Sequence, residues 1–305
     1  SMVFYTMDDV LRILQTFQDT PVEVSEELRG WRWKEPPLLV SYRARINVSD
    51  LTIACGTGRL AYLRHHRGIR ERPGHELMFG SFVHRCITTA TSSAKEVLFR
   101  NRPRTGKEFH EELIKIGDQL IKSGEFSAYP EVFETIWQRA ALTYSAALDK
   151  VLSSSRYLSW DGIVYRVVPW ICEFPVDGRN LGFNRAVRID ALIPPNLIVE
   201  FKTRKPSREF EVALAGYALC FESQFRVAVN HAVILYLEFS GRDVKVYEHF
   251  VAIDDELRLE LVERRDMLLR VVSEGFDPGL PERCDPSCPY LRICNSENPN
   301  VSMIR

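Results

Sequence analysis

A chain of 305 residues has room for one large domain or two modest ones. Hydrophobic residues at 45% and charged residues at 27% are ordinary for a globular protein, and 40 Lys+Arg against 41 Asp+Glu leave a formal net charge of -1. That balance excludes a globally basic nucleic-acid coat and an acidic disordered tail, and no apolar run reaches the roughly 18 residues of a membrane-spanning helix. The opening residues lack a leader pattern and cleavage site, which with an odd count of seven cysteines predicts a reducing cytoplasm. Ser1-Met2 reads as an expression scar.

No internal repeat is visible. Up to about position 150 the pattern is mostly helical. Asp8 predicts a cap for a short helix with Val10, Leu11, Leu14 and Phe17 on one face. Trp31 to Pro37 reads as irregular. Ser49-Asp50 opens a segment leading through Cys55 into an arginine-rich helix from Arg59 to about His66. Gly80-Ser81 predicts another helix start, and Glu131 to about Leu152 a longer amphipathic helix, broken by Ser153-Ser154-Ser155.

From Ile163 the texture changes. Ile163 to Val168, Trp170 to Val176, Asn184 to Ile193 and Leu197 to Thr203 are β-branched or aromatic runs split by turn residues. A helix from about Ser207 to Gln224 follows, then strands Ala228 to Phe239 and Val244 to Ile253. Asp254-Asp255 caps a last helix to about Ser273. Strands, a crossover helix and more strands predict an α/β fold with a mixed sheet, a helical region before it and a cysteine-bearing segment after it. From Gly279 onward too few apolar residues remain for a separate core, so that tail must be held by something else.

The hairpin Arg188 to Lys202 is the most informative stretch. Side chains alternate along a strand, which predicts one apolar face of Val187, Ile189, Ala191, Ile193, Leu197, Val199 and Phe201. The other face carries Arg188, Asp190, Ile198, Glu200 and Lys202. A turn centred on Pro195 places Asp190 opposite Glu200 and Arg188 opposite Lys202, and directly opposed like charges destabilise a sheet. One reading is a solvated face with diagonal Asp190–Lys202 pairing. The other is a divalent magnesium or manganese site, two carboxylates binding the ion and the ammonium steadying water or a phosphate oxygen.

Cys86, Cys172 and Cys220 sit among apolar residues and read as small core hydrophobes. Cys284, Cys288 and Cys294 crowd a short polar segment, which implies a soft metal or cluster, with Cys55 the best fourth ligand. Four thiolates accept either zinc or an iron–sulfur cluster. Two basic stretches are local: Arg59, Arg64, Arg67, Arg70 and Arg72 with His65 and His66, then Arg100, Arg102, Arg104 and Lys107. They suit DNA phosphates, with Tyr62 and Phe99 for base stacking, or else form a solvated helix face and a loop.

Asp190, then Glu200-x-Lys202, then a helix containing Tyr217 resembles the RecB-like branch of the PD-(D/E)xK nucleases, whose early helical histidine after a glycine is matched by Gly80-Ser81-Phe82-Val83-His84. The resemblance implies that His84, Asp190, Glu200 and the Phe201 carbonyl bind metal, that Lys202 is catalytic, and that Tyr217 lies in the site. On its own, His84 reads as a capping or core histidine. One cysteine upstream and three downstream of such a core resemble the CRISPR-associated Cas-four exonucleases, most closely their archaeal Csa subgroup. That likeness implies a [4Fe–4S] cluster on Cys55, Cys284, Cys288 and Cys294, 5′-to-3′ action on single-stranded or spacer-precursor DNA, and partnership with CRISPR integrase proteins in spacer acquisition. Two departures are visible: Ala213 stands where the branch carries Gln, and three residues separate Cys284 from Cys288 where two are commoner. The Gln departure favours an alternative, a catalytically weak DNA-binding scaffold of the integration complex. The expected organisation is an N-terminal segment (1–75), a helical region (76–155), a nuclease core (156–253) and a C-terminal helix with the cluster segment (254–305).

Overall fold

The computed structural model describes residues 3–70, 73–154 and 157–297. Ser1, Met2, Arg72 and Ser155 therefore lie outside the described residues. In chain order come α1 (Met7–Asp19), α2 (Arg59–Ala61, continuing as a wider helical turn to His66), α3 (His75–Asn101), α4 (Gly106–Ser123), α5 (Pro130–Ser154) and α6 (Trp160–Val167). Strands β1 (Ile171–Val176), β2 (Val187–Ile193) and β3 (Leu197–Lys202) follow, then α7 (Arg208–Phe225), β4 (His231–Ser240), β5 (Asp243–Ala252), α8 (Asp255–Glu274) and α9 (Leu291–Glu297).

Among the described residues the five strands form one sheet in chain order. Neighbours are antiparallel except β3 and β4, which run parallel because α7 carries the chain back across the sheet between them. Both sheet faces are covered, which is why β4 is a continuous apolar run instead of an alternating one. Val233, Leu235 and Leu237 pack with α3, α5 and α6, while Ala232, Ile234 and Tyr236 pack with α7 and α8. Among the described residues no helix is long and apolar enough to cross a membrane.

Several expectations are corrected. Ile163 to Val167 belongs to helix α6, with Val168 its C-cap, because Ile163, Val164 and Val167 are buried together while Tyr165 is 40% exposed. That is a helical spacing, which β-branched composition had masked. Helix α1 is capped at Thr6, whose N–H donates to Asp9 Oδ2 at 2.9 Å, while Asp8 pairs with Lys150. Its buried side chains are Val10 and Ile13, leaving Leu11 59% exposed. Helix α3 starts five residues before Gly80, at His75. The hairpin's apolar face is divided: Ala191, Ile193, Leu197, Val199 and Phe201 join the α3–α6 core, whereas Val187 and Ile189 pack with α7. The change of side falls at Asp190, where the β1–β2 ladder skips Glu173, which has φ 53.

The irregular segment after α1 is fastened by buried charge. Arg258 Nη1 and Nη2 bond Glu222 at 2.8 and 2.9 Å, and both residues are 0% exposed. The same carboxylate accepts from the Gly30 N–H at 2.7 Å, and Arg258 also donates to the Leu28 carbonyl at 2.9 Å. A Cβ on Gly30 would come within 2.2 Å of the Leu219 carbonyl oxygen, so only glycine lets the strap approach α7 this closely.

Candidate active site

The β2–β3 register is the predicted one, with Ala191 opposite Val199 and Ile193 opposite Leu197. One step further on, side chains replace the ladder. The Asp190 N–H donates to Glu200 Oε1 at 3.3 Å, and the Phe201 N–H donates to Asp190 Oδ2 at 2.9 Å. Lys202, two residues on and on the same side of β3, places Nζ 2.9 Å from Glu200 Oε2 and 3.9 Å from Asp190 Oδ2. Arg188, by contrast, points to solvent and meets Glu173.

Helix α3 supplies the histidine from the opposite side. A Cβ on Gly80 would lie 3.2 Å from Thr203 Oγ1, so the helix crosses close to the end of β3 there. One turn later His84 reaches over the strand. Its Nε2 lies 2.9 Å from the Phe201 carbonyl oxygen, and its Nδ1 lies 3.2 Å from Asp190 Oδ1. Gly80 therefore serves a close approach within α3, not a helix start. Tyr217 is half-buried on α7 at the margin of the cluster, and Ala213 is 1% exposed one turn before it.

Burial opposes charge throughout this cluster, and the neighbours decide each outcome. The Asp190 carboxylate outweighs desolvation at His84 and raises its pKa. Desolvation is likewise overcome at Asp190, which His84 and Lys202 hold well below the usual carboxylate range. Glu200, 2% exposed and beside that negative charge, is pushed up to about 7. Desolvation works against the Lys202 ammonium, but Glu200 and Asp190 prevail and raise it. Burial first, then the charges of Glu200 and Asp190, raise the Tyr217 phenol. Two carboxylates, an ammonium and an imidazole thus hold one another in a buried, mutually paired cluster.

Among the described residues no three histidine, cysteine or acidic side chains are gathered as a ready cage for a metal ion. His84 and Asp190 face each other instead, and Glu200 binds Lys202. The donor chemistry still fits a hard divalent ion: two carboxylates, one carbonyl and one imidazole, converging from three elements.

A groove of about 740 Å3 opens where β3 ends. Thr203, Arg204 and Lys205 line it with Phe79 of α3 and with Arg283 and Ser287 of the cysteine segment. Arg204 lies 4.7 Å over the Phe210 ring and donates to Ser287 Oγ at 2.7 Å. Glu76, Glu209 and Asp285 also line the groove, but Glu209 is tied to Arg264 at 3.4 Å and Asp285 accepts from Ser287 Oγ at 2.6 Å. Lys205 and Arg283 are exposed at its opening. Sequence reasoning overlooked this wall, although Thr203-Arg204-Lys205 directly follows Lys202.

The four clustered cysteines also come together. Cys55 and Cys284 face each other across an isolated antiparallel bridge, and with Cys288 and Cys294 they line one cavity of about 10 Å3. All four are free thiols. Burial first, then the neighbouring Cys55, Cys294 and Cys284, push the Cys288 thiol up to about 12. Four free sulfurs lining one small cavity have the donor chemistry of a thiolate-bound metal, although among the described residues they are not drawn together as a ready cage. Ile53, Leu60, Leu63, Val271 and Tyr290 form a small third core around them, which gives the tail the anchor its own composition lacks. Cys86 and Cys220 are fully buried as expected, while Cys172 is half-buried on β1.

The first basic stretch is only partly a surface. Arg59 is 5% exposed and bonded to Asp277, and Arg64 and His65 both engage the buried Asp50. Tyr62, expected to stack bases, is 6% exposed and stacks on His66 instead. Arg67 and Arg70 remain exposed. In the second stretch Arg100, Arg102, Arg104 and Lys107 are all exposed, beside Phe99 at 50%.

The family model for the CRISPR-associated exonuclease Csa1 matches residues 2–298. A protein of Saccharolobus solfataricus named CRISPR-associated exonuclease Csa1 is 32% identical over 299 residues, covering 96% of this chain and 100% of that one. A protein of the same name from Thermoproteus tenax is 27% identical over 294 residues, covering 95% and 99%. No solved structure matches the chain.

Proposed function

The chain belongs to the CRISPR-associated exonuclease Csa1 family, and on that premise we propose that it is a metal-dependent DNA exonuclease with a RecB-like PD-(D/E)xK active site. The observation that carries this reading is the convergence of His84, Asp190, Glu200, the Phe201 carbonyl and Lys202 at the end of β3. His84, Asp190, Glu200 and the Phe201 oxygen would hold one Mn2+ or Mg2+ ion. When bound, that ion supplies Lewis acidity at a phosphoryl oxygen and a more acidic water. Lys202, kept cationic by Glu200 and Asp190, offers its ammonium to charge developing on the phosphate. Tyr217, half-buried on α7, bounds the site.

The groove continuing from Lys202 is the path for a single strand. Arg204, Lys205 and Arg283 meet phosphates, and Phe79 offers a ring to a base. The polarity is 5′ to 3′, the substrate a spacer precursor, and the partners CRISPR integrase proteins of a cytoplasmic antiviral defence. Cys55, Cys284, Cys288 and Cys294 hold a [4Fe–4S] cluster. Four thiolates, with three residues between Cys284 and Cys288, keep a second reading for that site alone, a single zinc ion. Ala213, apolar and buried in the Gln position, favours the scaffold alternative for the whole protein.

The deciding experiment combines purified protein, Mn2+ and end-labelled single-stranded DNA. Cleavage is expected with metal, falling on the order of a hundredfold or more in Lys202→Ala. Cleavage that survives this substitution places the chemistry elsewhere, and tight DNA binding without turnover selects the scaffold. An anaerobic preparation that is brown, and colourless in Cys284→Ser, supports the cluster; a colourless zinc-containing one supports zinc.

A further inference from the structure

We propose that Arg59 is a positioning residue for the four-cysteine site, its guanidinium clamped by Asp277 so that it donates a hydrogen bond to the Cys294 sulfur and steadies a metal-bound thiolate. The inference rests on the reading of those cysteines as metal ligands, and it moves Arg59 from the expected DNA surface to the interior. Arg59 Nε and Nη2 bond Asp277 Oδ1 and Oδ2 at 2.9 and 2.8 Å, a two-pronged grip that sets the plane of the guanidinium. The remaining nitrogen, Nη1, lies 3.5 Å from Cys294 Sγ. The clamp is itself placed: the Gly279 N–H donates to Asp277 Oδ1 at 3.0 Å, and Thr57 Oγ1 donates to the Gly279 carbonyl at 2.9 Å. Arg59 stands four residues after Cys55, past the left-handed Gly58 (φ 75) whose N–H donates to the Cys55 carbonyl at 2.9 Å. One turn thus delivers both a sulfur ligand and the donor to a second sulfur.

The energetics favour a thiolate as the intended acceptor. A neutral thiol accepts weakly and would return little for the burial of a guanidinium at 5% exposure. A metal-bound thiolate is anionic, and hydrogen bonds to such groups are roughly twice as strong as those between neutral groups. Asp277 cancels the charge of Arg59, so the contribution is one of aim more than of net charge. Outer-shell donors of this kind fix ligand orientation, and their loss typically costs 10–100-fold in metal affinity.

The test uses the full chain purified anaerobically, with metal content by elemental analysis and metal release to a competing chelator followed in time. Arg59→Gln is expected to release metal about tenfold faster than the parent, with Asp277→Asn shifting release in the same direction by less. Arg59→Lys, which cannot span both Asp277 and Cys294, is expected to rescue only in part. An absorption band of the bound thiolates that moves in Arg59→Gln at full metal loading supports the contact directly. Parent-like release in both Arg59→Gln and Asp277→Asn overturns the inference, and if Arg59→Gln does not fold, parent-like release in Asp277→Asn alone overturns it. A parent protein without metal overturns the thiolate reading itself, and this inference with it.

Discussion

The acid–amine cluster and the thiol cluster are assembled in opposite ways. The first is built on central strand β3, with each polar group already held by another: Lys202 by Glu200, His84 by Phe201, and Phe201 by Asp190. The second joins Cys55 to a segment outside the sheet, which packs through a small core of Ile53, Leu60 and Tyr290. A site made from sheet geometry keeps its shape before anything binds. A site closed by a tail depends on its occupant for part of its stability.

The largest expected effect tests the first half of this contrast. Glu200→Gln should reduce cleavage on the order of a hundredfold or more while moving Tm by about 2 °C or less, because the amide removes a carboxylate that burial and Asp190 already disfavour. A large drop in Tm would show that the cluster is structural. Next comes Cys288→Ser, measured by metal content and hydrogen exchange. Metal retention should fall about 10–100-fold, and protection should be lost around residues 279–294 while β3 and β4 keep theirs. Loss of protection throughout would make the two regions one cooperative unit.

Two smaller effects sharpen the boundary between them. Gly80→Val presses on Thr203 and should displace His84, lowering cleavage by about tenfold with a stability cost of about 1–3 kcal/mol, read by kinetics and denaturant melts. Arg204→Ala should weaken binding of single-stranded DNA by about fivefold, and Arg67→Ala by less than about twofold, in salt-controlled titrations. Equal effects would return the strand to the surface stretch that holds Arg67.

What the sequence made legible follows from range. Alternation and one turn were enough to set Ala191 against Val199, and from there the meeting of Asp190 with Glu200, because hairpin register is local. The switch of faces at Asp190 was not legible, since it depends on β1 and on Glu173, which are read from another part of the chain. Helix α6 was misread because Ile, Val and Tyr favour strands until a helical neighbour gives Ile163, Val164 and Val167 a common side to bury. Gly30 and Glu222 meet across 192 positions, and no local pattern announces a buried pair of that span. Arg59 looked like a phosphate ligand because composition reveals charge and says nothing of Asp277.

The hydrogen bond from Arg204 to Ser287 has a consequence for how this molecule ages. One bank of the groove hangs from the sheet and the other from the segment that carries Cys284. If those thiols hold a metal, its oxidative loss would slacken the far bank first and leave the acid–amine cluster on β3 standing.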